Sequence, residues 1–312
     1  MNIPKDGYCS TTSRLAGEQL FATASQTKYW LLLEDNSAWG AKAFEESQLP
    51  EPVKTYLSTF LEATPNSRLL LIKRLIAYAN EGIRLYLVNA QEQDPQNYQF
   101  QLGDYQDLLD LDLPTIFSGE ATYRKHLQRE PVYLICTNGK RDSCCAKYGI
   151  PTYSLLSGKS GITAWQCSHM GGHRFAANML CYPHGICYGR VGESNLNNIL
   201  HSYPREQLIL ENYRGRACYP EVVQAADFYL REKTGNLYLS TYHFLDLEPL
   251  EDEQQAVLFS DATTGEYHRL HLQSRLSDFK IRKSCGDEEI VSVKQFYLTE
   301  YFSFDSLDKF IF

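Results

Sequence analysis

Over its first two thirds the chain runs twice through one order of predicted elements, and this recurrence limits its possible folds more than any other feature. Lys28-Tyr-Trp-Leu-Leu-Leu-Glu34 is a run of strand length and buried character. Pro52 opens a helix with Val53, Tyr56, Leu57, Phe60 and Leu61 at helical spacing. Strands follow at 68–73, 84–89 and 97–102, then a short helix over 105–113 that Pro114 is expected to stop. The same order begins again at Pro131-Val-Tyr-Leu-Ile-Cys136, a strand. Asp142 is placed to cap a helix running through Cys145, Ala146, Lys147 and Tyr148. A strand at 162–166 and a hairpin of 177–182 with 186–191, turning at Pro183-His184-Gly185, come next. A helix over 193–203 with Leu196, Ile199 and Leu200 on one side closes the second round. Each half reads β-α-β-β-β-α, and the two are expected to be degenerate copies in an α/β protein.

Beyond Pro204 the pattern changes. A helix over 220–232 ends at Thr234-Gly235. Two hairpins are expected, 256–260 with 267–272 about Asp261-Ala-Thr-Thr-Gly265, and 279–283 with 290–297. The acidic run 246–253 reads as a solvated linker. Three units result: 1–120 without cofactor ligands, 121–205 with them, and 206–312 as a smaller α+β appendage.

A net charge of −8 argues against a general nucleic-acid or anionic-membrane surface, which needs a basic face. The start of the chain has no basic stretch leading into an apolar one, and the longest apolar runs are strand-sized. A cytoplasmic location is therefore expected. In a reducing compartment nine cysteines are more plausible as metal or redox groups than as a disulfide framework.

Two segments concentrate the chemistry: Cys136-Thr-Asn-Gly-Lys-Arg-Asp-Ser-Cys-Cys145, and Cys167-Ser-His-Met-Gly-Gly-His173. His169 and His173 have the spacing of a helical zinc pair, but no Glu follows His169 and two glycines separate them. A tight loop is expected, with glycine backbone able to approach a bulky inorganic core. Cys136 ends a strand, and adjacent helical residues diverge by about 100°. Only one of Cys144 and Cys145 can then face the same centre as Cys136. Two thiolates and two imidazoles suit either zinc or a [2Fe–2S] cluster, and spacing alone does not separate them. A structural zinc module in an interaction protein is thus the rival to a redox carrier. Arg141 and Asp142 are candidates to brace the cysteine loop, and Arg190 to anchor a loop or meet a redox partner. Cys9, Cys167, Cys181, Cys187, Cys218 and Cys285 read as core residues. Gly158-Lys159-Ser160 lacks the earlier glycine of a phosphate loop. The chain has no C-x-x-C and no G-x-S-x-G, and no acidic pair stands out for glycoside hydrolysis.

These motifs, with Ala177-Asn178 and Tyr182-Pro-His-Gly-Ile-Cys-Tyr-Gly-Arg-Val191, resemble the sucrase/ferredoxin-like family, a branch of the thioredoxin-like [2Fe–2S] ferredoxins. Weaker likeness includes Cys9-Ser10, Trp39-Gly40 and Arg214-Gly-Arg216 through Gln224-Ala225-Ala226. The resemblance implies a thioredoxin-like fold and a [2Fe–2S] cluster, with Cys136 and Cys145 on one iron and His169 and His173 on the other. Cys144 stands where many members carry arginine, and Asn138 where many carry histidine. The function implied is one-electron transfer between unknown donor and acceptor proteins rather than an enzyme's own chemistry. A separate reductase is implied too.

Overall fold

The computed structural model describes residues 7–74 and 82–306. Helix α1 (Cys9–Leu15) precedes β1 (Tyr29–Glu34), α2 (Glu51–Ala63), β2 (Ser67–Lys73), β3 (Ile83–Asn89), β4 (Gln96–Leu102) and α3 (Leu113–Phe117). The second round comprises β5 (Val132–Cys136), α4 (Ser143–Ser157), β6 (Thr163–Cys167), β7 (Met179–Tyr182), β8 (Ile186–Tyr188) and α5 (Glu193–Ser202). Then come β9 (Tyr213–Arg216), α6 (Glu221–Thr234), β10 (Tyr242–Pro249), β11 (Gln254–Asp261), β12 (Tyr267–Leu276) and β13 (Lys294–Phe304).

Nine strands form one mixed sheet in the order β4-β3-β1-β2-β6-β5-β7-β8-β9. In each half a parallel β-α-β pair, β1 with β2 and β5 with β6, is followed by two antiparallel strands. The halves meet where β2 runs antiparallel to β6 at Ile72–Cys167 and Lys73–Gln166. Strand order and sense on one side of this seam repeat on the other, a mixed α/β architecture compatible with the thioredoxin-like fold.

The strands are apolar on both faces because both are covered. Trp30 and Leu32, Leu70 and Ile72, Val132 and Leu134, and Trp165 lie on the face that the two halves share. Leu31, Leu33 and Leu71 face the other way onto Val53, Leu57 and Phe60 of α2. Tyr133 and Ile135 likewise meet Tyr153 and Leu156 of α4 and Leu196 and Ile199 of α5. Fully burying one such side chain contributes about 1.5–3 kcal/mol. Sequence alternation along each strand thus assigns one core to both halves and one to each half alone.

Four differences from the expected elements have local causes. Pro114 opens α3 rather than stopping a helix, sitting in its first turn, where a missing N–H costs nothing. The 246–253 run is not a linker in its first part. Asp246 and Glu248 lie on the edge strand β10, exposed, while the strand pairs with β11. Residues 294–304 pair with β12 rather than with 279–283, which keep only the bridge Ile281–Val291. Finally β9, within 206–312, extends the large sheet beside β8, while β10 to β13 form a second, antiparallel sheet that packs on α6.

Candidate metal centre

Cys136 is the last residue of β5, and alternation puts it with Val132 and Leu134 on the shared face. The chain then turns, and Asp142 caps α4, its Oδ1 accepting from the Cys144 N–H at 2.9 Å. Helix α4 seats closely on the strand end because Gly149 has no side chain: a Cβ there would stand 2.1 Å from the Cys136 carbonyl oxygen. Cys145 turns inward to join Cys136 in the shared core. Its neighbour Cys144 turns away to Cys9 and Cys285, so the pair diverges as helical geometry requires.

The histidine loop leaves β6 under the grip of β2. The Ser168 N–H donates to the Leu71 carbonyl at 2.8 Å, the Leu71 N–H donates to Ser168 Oγ at 3.0 Å, and Arg68 Nη2 donates to the His169 carbonyl at 2.8 Å. Gly171 and Gly172 have φ of +97° and +70°, which favour glycine. What approaches their backbone is protein. A Cβ on Gly172 would meet Arg214 Nη2 at 2.2 Å, and one on Gly171 would meet Ser25 Oγ at 2.7 Å. The buried Arg214 guanidinium donates to Asn178 Oδ1 at 2.9 Å and the Gly171 carbonyl at 3.3 Å, and Asn178 Nδ2 donates to the Gly172 carbonyl at 2.9 Å.

Cys136, Cys145 and His169 have donor atoms within 4.8 Å of one another, with Cys145 Sγ 3.8 Å from His169 Nδ1. His173 does not join that tight group, but its ring centroid lies 5.2 Å from that of His169. His173 Nε2 is 3.8 Å from Asp142 Oδ2, and its Nδ1 is buried without a hydrogen-bond partner. A buried imidazole nitrogen left unpaired calls for a partner, and a metal is one that would satisfy it. The opposite nitrogen facing a carboxylate is the usual way to orient such a ligand. The donor set therefore fits a metal or iron–sulfur group.

The Cys145 thiol, hydrogen-bonded to Cys136, holds the Cys136 thiol well below its ordinary range, with help from Cys167. The same bond, and then burial, pushes Cys145 up. One of the two is thus poised as a thiolate, the form that binds metal. Burial lowers His173 against the opposing pull of Asp142. Both thiols are 1 % exposed, whereas the His173 side chain is 14 % exposed, so the imidazole side of the site is nearer to solvent.

Arg190 anchors rather than presents charge. Its Nη2 donates to the Glu18 carbonyl at 3.0 Å and to Ser13 Oγ at 3.2 Å. Cys167, Cys181, Cys187 and Cys218 are buried. Arg68 and the gathering of Cys9, Cys144 and Cys285 had no sequence signal of their own. Arg214 had one only as part of Arg214-Gly-Arg216.

Among the described residues no helix is long and apolar enough to cross a membrane. Comparison with curated proteins and with solved structures returned no match. A family model described as sucrase/ferredoxin-like matches residues 20–215, a span that includes the β-α-β units of both halves and all four candidate ligands. The chain belongs to the sucrase/ferredoxin-like family.

Proposed function

We propose that the protein is a one-electron carrier whose [2Fe–2S] cluster is held by Cys136 and Cys145 on one iron and by His169 and His173 on the other. The observation that carries this reading is two buried thiols within 4.8 Å of a nitrogen of His169, with the buried, unpaired Nδ1 of His173 on the same loop, the two loops following neighbouring parallel strands. A single tetrahedral ion draws its four donors equally close. Here three lie within 4.8 Å of one another and His173 stands outside that group, so the four are not gathered as around one ion. The cluster would supply the redox couple. The chain contributes charge and access: two thiolates in the core, two neutral imidazoles toward the surface, and a half-buried Arg68 and a buried Arg214 that fix the loop carrying those imidazoles. Electrons would enter and leave on the histidine side, where His169 borders a surface cavity with Lys42, Phe44 and Arg141. Donor and acceptor are separate proteins, a reductase among them, and the place of work is the cytoplasm.

The rival is a zinc module built on the same four residues. Anaerobically purified protein decides between them. The expected result is a brown protein with two irons and two sulfides per chain and a signal from the reduced state in electron paramagnetic resonance. A colourless protein with one zinc at these four residues refutes the carrier.

A further inference from the structure

Among the described residues a second set of side chains able to hold a metal converges, apart from Cys136, Cys145 and His169. Cys9 begins α1, Cys144 lies in the first turn of α4, and Cys285 lies in the stretch 277–293 between β12 and β13. Their sulfurs form a triangle: Cys144 to Cys285 3.3 Å, Cys9 to Cys144 3.4 Å, Cys9 to Cys285 3.6 Å. Asp142 completes the group, with Oδ1 and Oδ2 at 3.8 Å and 3.9 Å from Cys9 Sγ. All four donors lie within 4.8 Å of one another.

We propose that Cys9, Cys144 and Cys285, with Asp142, hold a single zinc-class divalent metal ion at a site that shares no ligand with Cys136, Cys145, His169 and His173.

The spacing selects a mononuclear ion. Four donors in a tetrahedron at a zinc–sulfur distance of 2.3 Å put the sulfurs about 3.8 Å apart. The observed triangle is a few tenths of an ångström tighter, so binding needs only a small outward shift of side chains. Three soft donors and one carboxylate suit zinc rather than calcium or magnesium, which take oxygen. Metal entry displaces the thiol protons, up to three of them, to solvent.

Apolar packing comes from Ala176, Tyr8 and Tyr148, and polar groups reach the sulfurs beside it. Ser10 Oγ lies 3.2 Å from Cys144 Sγ, and the Cys9 N–H donates to Cys285 Sγ at 3.4 Å. Asp142 positions the donors through their backbones, accepting from the Cys144 N–H at 2.9 Å and the Cys285 N–H at 2.8 Å, while the Ser284 hydroxyl donates to it at 3.0 Å. Such contacts orient ligands and stabilise thiolates. The site also gives the 277–293 stretch a tether. It is long for a connection without regular structure, its one bridge is Ile281–Val291, and its apolar anchors are Ile281 and Val293. A metal there would tie both ends of the described chain to the half that carries Cys136.

Elemental analysis and zinc-edge X-ray absorption on the full chain, purified from zinc-supplemented medium, test the site independently of iron. The expected result is about one zinc per chain beyond any metal at Cys136, with three sulfur neighbours and one lighter one. Cys9→Ser and Cys285→Ser should each lower zinc at least fivefold while iron, sulfide and the visible spectrum stay as in the wild type. The absorption measurement on the wild type needs no variant to fold. A shell of two sulfurs and two nitrogens that is lost in Cys145→Ser would put the zinc at the other centre and overturn the proposal. So would zinc-free protein, or an alkylation map recovering a disulfide among the three cysteines. Failure of the carrier reading alone looks different: two zincs per chain, one of which leaves with Cys285→Ser.

Discussion

Substituting Gly172 by alanine should unsettle the histidine loop, and a second glycine in the same conformation makes the cost readable. Gly172 and Gly161 have φ of +70° and +73°. Forcing an L-residue there costs each variant about 1–2 kcal/mol, so the strain cancels in a comparison. The surroundings do not cancel. A Cβ at Gly161 meets nothing within 4 Å, whereas one at Gly172 would stand 2.2 Å from Arg214 Nη2. Arg214 is 1 % exposed and donates to Thr23 Oγ1, Asn178 and Gly171. Moving it breaks one or two hydrogen bonds to a buried charge, each about 1.5–3 kcal/mol. Gly172→Ala should therefore cost about 1.5–6 kcal/mol more than Gly161→Ala. Thermal denaturation followed by near-ultraviolet circular dichroism should place its midpoint at least about 2 °C lower. Midpoints within about 1 °C of each other would refute the view that the paired glycines exist to admit Arg214.

Cys145→Ser should lose most of the visible absorbance and Cys144→Ser should keep it, because the two thiols face different clusters; the reverse pattern would shift the ligand register by one. The reduction potential should lie well above the roughly −400 mV of an all-cysteine plant-type cluster, at about −150 mV or higher, since two neutral imidazoles replace two thiolates. It should also fall as pH rises, because oxidised iron makes a bound imidazole release its second proton more readily, so reduction takes one up. Film voltammetry from about pH 6 to 10 reads both, and a flat potential near the all-cysteine value counts against His169 and His173. Burial, and then Arg216, push His184 down from 6.5 to about 3. The unfolded chain therefore binds this proton first, and stability present above pH 6.5 drains as pH falls toward 3. His184→Gln should flatten that loss in urea midpoints between pH 6.5 and 4, and an unchanged acid limb would contradict the assignment. Residues 1–120 expressed alone should carry no metal on elemental analysis, having Cys9 as their only cysteine and no histidine; stoichiometric iron there would refute this.

The parts of this molecule legible in sequence are those fixed locally. The five apolar residues before Thr137 and the capping Asp142 announce β5 and α4, and the divergence of adjacent helical residues is enough to separate Cys144 from Cys145. The paired glycines announce positive φ. What stands nearest a Cβ placed on them is contributed by Arg214 and Ser25, far away in sequence, and the sequence has no local signal for either contact. Strand β10 was hidden because an edge strand exposes one side, and its acidic residues look like those of a solvated loop. The Cys9–Cys144–Cys285 triangle was hidden more deeply. Its members are 135 to 276 residues apart; Cys9 and Cys285 alone look like ordinary core cysteines, and Cys144 like a rival to Cys145.

The antiparallel seam between β2 and β6 bears on how such a chain can evolve. A repeat that supplies none of a cofactor's ligands is ordinarily free to drift. Here Arg68 and Leu71, both in the half that holds none of Cys136, Cys145, His169 and His173, hold the backbone of Ser168 and His169. Purifying selection on the second half's cofactor should thus reach across the seam and preserve β2, while the distant edge strand β4 is left to vary. In an alignment of many members, substitution rates within the first half should rise with distance from the seam.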